Sequence, residues 1–86
     1  MSLASTDELR AELCRMSGLS QLLAPGVLRR ALSDCGVTPD LATPRDLLKA
    51  LPKLEARMRA YLLPDEVDRR LAQMRRAIEK FAAGKG

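Results

Sequence analysis

The 86-residue chain has no histidine and no tryptophan, and it carries one tyrosine and one phenylalanine. Without histidine, the commonest general base and a principal metal ligand are both missing. The scarcity of aromatic side chains removes the platforms on which unpaired bases stack and the residues that best fill pleated surfaces. There are two cysteines, Cys14 and Cys35, too far apart in sequence for a metal knuckle or a close redox pair. No apolar run approaches the roughly 20 residues that span a bilayer, and no charged-then-apolar leader opens the sequence. Internal repeats and low-complexity tracts are lacking too. No Ser-x-x-Lys, Gly-x-Ser-x-Gly or phosphate-cradling glycine loop occurs. The expectation is a soluble, cytoplasmic, non-catalytic protein with no cofactor, no bound metal, no membrane and no small-molecule substrate.

What is present points to helices. Hydrophobic residues make up 47% of the chain, nearly all of them Leu, Ala, Val and Met, a palette that favours helix over sheet. A chain of this length has room for one domain and buries only about 60 to 65% of its unfolded surface. The sequence therefore predicts an all-α fold, a compact bundle of four to five helices ending in an antiparallel helical hairpin. Residues 5–82 form the single domain, residues 1–4 are a leading tail and residues 83–86 a disordered one.

Start and stop signals divide the chain. Ser5-Thr6-Asp7-Glu8 sets a capping serine three residues before a glutamate, predicting a helix over 6–17 that Gly18 ends. Its inward stripe is Leu9, Leu13 and Met16, with Cys14 beside it. Residues 19–24 read as a short apolar connector. Pro25 then opens a second helix whose inner face is Leu28, Ala31, Leu32 and Cys35. Gly36 closes it, and Val37 is placed to pack back on Leu32. Thr43-Pro44-Arg45-Asp46 repeats the start signal with a threonine cap, a proline in the first turn and an acid at the third position. Pro52 is expected to kink or restart this third helix near Leu51. Pro64, followed by Asp65, Glu66 and Asp68, starts a last helix over 64–82.

Two stripes share one spacing. Leu47, Leu51, Leu54, Met58 and Tyr61 are separated by four, three, four and three residues, and so are Val67, Leu71, Met74, Ile78 and Phe81. Flanking a proline break, they predict two helices packed seam to seam. The partner helix, interrupted by proline, is expected to be the shorter of the two. The far end of the second stripe is therefore expected to stay exposed as a contact for a protein partner or a second copy, through Met74, Arg75, Ile78 and Phe81.

The net charge of +4 is unevenly distributed. Residues 1–43 hold four basic and five acidic side chains, a balance of −1, whereas residues 44–86 hold eleven and six, a balance of +5. Arg45, Lys49, Lys53 and Arg57 recur at intervals of four, and Arg69, Arg76 and Lys80 lie along one side of the last helix. These seven are the candidates for binding an anion or nucleic acid. Asp65 and Glu66 have arginines four residues on, at Arg69 and Arg70, so the acidic cluster reads as a helix start with ion pairs and not as a metal site.

Two DNA-binding patterns are approached without being met. Cys35-Gly36-Val37-Thr38 would serve as the turn of a helix-turn-helix, but Pro39 and Pro44 fall in what would be its reading helix, and Leu32 is bulky where the crossing needs a small residue. The run Leu9-x3-Leu13-x4-Gly18-Leu19, with Leu28, Arg30 and Leu32, resembles in part the SAP-type helix-extended-helix module. That family's glycine-lysine turn is replaced here by Ser20 to Gly26, which contains no lysine, and the likeness covers less than half the chain, so the family is not assigned. The function expected is that of a protein-interaction module, homodimeric or part of a larger regulatory protein. A nucleic-acid-binding module using the arginine-rich second half is the alternative.

Overall fold

The computed structural model describes residues 5–85, and for Lys85 its backbone alone. Four α-helices are present, α1 over Thr6–Met16, α2 over Ala24–Asp34, α3 over Pro44–Met58 and α4 over Pro64–Lys85, with a single 3-10 turn at Pro39–Leu41. No strand occurs among the described residues. Each helix packs on two neighbours around a ring: α1 on α2, α2 on α3, α3 on α4, and α4 back on α1. The molecule measures 35 × 25 × 21 Å.

Local chemistry sets the boundaries. The Ser5 side chain accepts the backbone N–H of Glu8 at 3.2 Å, satisfying an orphan donor at the start of α1. At the far end Ser17, nearly fully buried, donates to the Cys14 carbonyl at 2.6 Å and accepts from the Leu19 N–H, turning the chain into the connector. Ser20 organises the next turn, accepting the Leu23 N–H on its side chain and the Ala24 N–H on its carbonyl. α2 consequently begins at Ala24, one residue before the expected Pro25. It ends in a full Schellman motif: Val37 N–H bonds the Leu32 carbonyl at 3.0 Å, Gly36 N–H bonds the Ser33 carbonyl at 2.9 Å, and Gly36 has φ +77°. Val37 packs against the core that contains Leu32, as expected.

α3 opens on a reciprocal capping box, with the Thr43 hydroxyl accepting from the Asp46 N–H at 3.3 Å and the Asp46 carboxylate accepting from the Thr43 N–H at 3.0 Å. Nine residues, 35–43, separate α2 from α3, against the three or four of a helix-turn-helix.

Two expected helix limits in the second half need correction. Of the kink or restart expected at Pro52, the restart does not occur: α3 is one helix from Pro44 to Met58. Pro52 is exposed, so the Leu48 carbonyl, which loses its donor there, faces the side of the helix where water can replace it. One residue on, the Lys49 carbonyl has the Cys35 thiol 3.6 Å away. The last helix also runs past Ala82 to Lys85, so residues 83–85 of the expected disordered tail are helical. Residues 1–4 and Gly86 lie outside the described residues.

The core joins all four helices. Leu9 and Leu13 of α1, Leu28, Ala31 and Leu32 of α2, Leu47, Leu51, Leu54 and Met58 of α3, and Val67, Met74 and Ile78 of α4 are all buried. Tyr61, expected to end the α3 stripe, is 54% exposed, because the helix stops at Met58 and residues 59–63 turn toward α4. α1 runs antiparallel to α4: Arg70 Nη1 donates to the Met16 carbonyl at 3.1 Å, and Leu13 and Met74 border one small crevice.

Candidate functional site: the groove between α1 and α2 and the basic ridge on α3

The ring of helices is open at one seam. Between α1 and α2 lies a groove of about 460 Å³. Leu28, Leu32 and Ala24 form its buried floor, Cys14 and Leu19 are half-buried along it, and Ala11 and Pro25 continue the apolar lining outward. The polar groups of the rim come as arginine–carboxylate pairs. Arg10 pairs with Asp7, donates to the Pro39 carbonyl and lies 3.8 Å from Asp40, while Arg29 pairs with Asp40 at 3.2 Å. These contacts pin the 3-10 turn at one end of the groove. Arg15, on the rim as well, pairs with Glu12.

Beside the groove stands the least buried large apolar side chain of the chain's described part. Leu22 is 95% exposed and Leu23 is 42% exposed, in the turn between Gln21 and Ala24, both of which line the groove. Cys14 is a free thiol, and burial pushes its pKa up while the nearby Arg10 guanidinium opposes this. A thiol held in its neutral form is a weak nucleophile. Cys35, also free, lies against α3 and outside this groove. Both cysteines are half-buried, less enclosed than the sequence predicts.

The contact surface expected on α4 is not available. Met74 and Ile78 are fully buried and Phe81 is 8% exposed. The expectation set only α3 against this stripe, whereas α1 packs on α4 as well and helps enclose it. Of the four residues named there, Arg75 alone is exposed.

The basic candidates are partly brought together. Because α3 is continuous through Pro52, Arg45, Lys49 and Lys53 stand on successive turns, about 6 Å apart along the axis, exposed and in no ion pair among the described residues. Arg57 leaves this ridge: it pairs with Asp34 of α2 at 2.7 Å, and its Nε is buried without a hydrogen-bond partner. The Arg57 hydrogen bond holds the Asp34 carboxyl below the usual carboxylate range, and Lys53 and Arg30 lower it further. On α4, Arg69, Arg76 and Lys80 are exposed and form no ion pair among the described residues. The expected Asp65–Arg69 pair does not form; the expected Glu66–Arg70 pair does, at 2.8 Å.

Sequence reasoning did not find the groove. Its ends are fastened by Arg10 and Asp40, thirty residues apart, and no periodicity links them. One signal was present: the Leu22-Leu23 pair fell in a turn that no helical stripe used. Among the described residues, no three Cys, Asp or Glu side chains gather to hold a metal ion, and no helix is long and apolar enough to cross a membrane. Comparison with known proteins finds no matching family model, no matching curated protein and no matching solved structure.

Proposed function

We propose that the chain is a non-catalytic protein-interaction module whose contact surface is the groove between α1 and α2. The observation that carries this reading is the apolar groove, with Leu22 and Leu23 exposed in the turn between its lining residues Gln21 and Ala24. An apolar surface of this kind left in water is unusual away from interfaces, and its border of charged pairs matches the rim of a protein contact. The groove's chemistry supports binding over catalysis. Its carboxylates are matched with arginines, and its one thiol has a raised pKa. The test is a photo-cross-linking side chain placed at Gln21, on the groove, and separately at Gln73, exposed on α4. The expected result in native cells is a discrete protein adduct from position 21 and none from 73. Adducts from position 73 alone, or from neither, contradict the reading.

A second reading is supported by the continuity of α3 through Pro52, which sets Arg45, Lys49 and Lys53 on successive turns, none of them in a salt bridge among the described residues. Such a ridge suits the phosphates of duplex nucleic acid. Single strands would find no aromatic platform, since Phe81 is buried and Tyr61 stands alone. Titration of duplex DNA against salt checks it. Replacing all three cations with Gln should reduce the slope of log K against log salt by roughly one unit per cation. Binding that is absent at low salt, or whose slope is unchanged in the triple variant, removes this reading.

A further inference from the structure

We propose that the outer face of α4 reads duplex DNA in the major groove, with Gln73 and Arg76 against base edges and Arg69 and Lys80 on the phosphates to either side. The proposal rests on the second reading, in which the chain binds duplex nucleic acid, and adds the element that reads sequence.

α4 is 22 residues long, about 33 Å at the helical rise, so it runs nearly the full 35 Å length of the molecule. It packs on α1 and α3 through two flanks and leaves a third face in water. Arg69, Gln73, Arg76 and Lys80, spaced four, three and four, share that face and are all exposed, accompanied by the small side chains of Ala72 and Ala83. None of the three cations is in an ion pair among the described residues. The other charges of the helix lie apart. Asp68, Arg75 and Glu79 form a separate row on the flank where Asp68 meets Arg59 at 3.3 Å, and Asp65 stands a turn before Arg69.

What the face lacks narrows its occupant. Among the described residues of α4 no large apolar side chain is exposed, so a protein contact would find no anchor and a lipid surface nothing to bury. A polyanion needs neither. The uncharged member of the row then decides which polyanion. The chain has no asparagine and two glutamines, and one of these, Gln73, stands among the three unpaired cations. Glutamine adds no charge for a phosphate, but its amide pairs with N6 and N7 of adenine, as the arginine fork pairs with O6 and N7 of guanine. Those edges face the major groove of DNA, which at roughly 12 Å wide admits a helix, whereas the deep, narrow major groove of duplex RNA does not. Gln73 and Arg76 are about 4.5 Å apart along the axis, close to the step of roughly 3.4 Å between base pairs. Arg69 and Lys80, about 16 Å apart, overreach the groove and meet its two phosphate walls. α3 contains neither Asn nor Gln, so its ridge can position a duplex without an amide to read it.

The experiment is selection by the full chain from a duplex DNA library with a randomised interior, followed by titration of the enriched duplex against salt. It compares the native chain with Gln73→Ala, with the Arg69→Gln, Lys80→Gln double variant, and with the α3 variant in which Arg45, Lys49 and Lys53 are all replaced by Gln. Every substituted side chain is exposed, and an unchanged helical circular dichroism spectrum confirms the fold. The native chain should enrich a motif with adjacent A·T and G·C pairs. Gln73→Ala should bind that duplex about tenfold more weakly, lose the preference for the A·T pair and keep the salt slope. The double variant should keep the motif and reduce the slope of log K against log salt by roughly two units, and the α3 variant should keep the motif as well. Enrichment of no motif, or of the same motif by Gln73→Ala at undiminished affinity, overturns the proposal. Duplex binding that persists in both α4 variants and falls only in the α3 variant overturns it too, and leaves the second reading standing. No duplex binding at low salt removes both.

Discussion

Gly18 and Gly36 share the same φ of +77° yet do different work. A Cβ on Gly36 would meet nothing within 4 Å, whereas one on Gly18 would lie 2.5 Å from the Arg70 guanidinium, which crosses the end of α1 on its way to the Met16 carbonyl. Gly36→Ala should therefore cost about 1 kcal/mol, the strain of the left-handed backbone. Gly18→Ala should cost more, about 2 kcal/mol, because Arg70 must also move. Urea denaturation of both variants checks the order, and equal losses would mean that Arg70 does not hold α1 to α4. The carboxylates give a second prediction at this scale. Asp34 and Asp46 both titrate below the ordinary carboxylate range in the folded chain, Asp34 through Arg57 and Asp46 through the Thr43 backbone N–H. Their stabilisation is complete above the unfolded carboxylate pKa and is lost as pH falls through the lowered folded values. Stability measured from pH 6 downward should therefore fall at acid pH, and the fall should be shallower in Asp46→Asn.

At the scale of helices, the residues that begin and end them were legible and those that interrupt them were misleading. Ser5, Gly18, Gly36, Thr43 and Pro64 act locally, through backbone groups a few residues away, so the sequence contains everything their effect requires. Pro52 carries an equally strong local signal, but packing of α3 against both α2 and α4 overrides it. Leu47, Leu51, Leu54 and Met58 are buried on both sides of the proline, and a break would expose one half of that stripe. Pro52→Ala returns a donor to the Leu48 carbonyl and should raise stability by about 1 to 2 kcal/mol, after the loss of proline's restraint on the unfolded chain. A melting series reads this directly, and no gain would mean that the Leu48 carbonyl loses nothing by having no helical donor. Thr43→Ala removes half of the capping box and should cost about 1 kcal/mol by the same assay.

For the whole molecule, the all-α class and the α3–α4 hairpin followed from periodicity, while the location of free surface did not. The stripe Met74, Ile78 and Phe81 looked surplus because the sequence shows how long a stripe is and not how many helices share it. α1 arrives from sixty residues away to cover it. Conversely, the groove is created by two short helices that part around an apolar connector, and its fastening through Arg10 and Asp40 is a tertiary event. Ile78→Ala should consequently behave as a core truncation, costing about 2 to 4 kcal/mol in denaturant unfolding. A loss near zero would return Ile78 to the surface.

Which face meets a partner is read by amide hydrogen exchange of the full chain at low and high protein concentration. Association should slow exchange in the turn at residues 20–24 and along the facing side of α1, while the amides of α4 around Ile78 are already protected and do not change. Slowing confined to α4, with the turn at Leu22 unaffected, would contradict it.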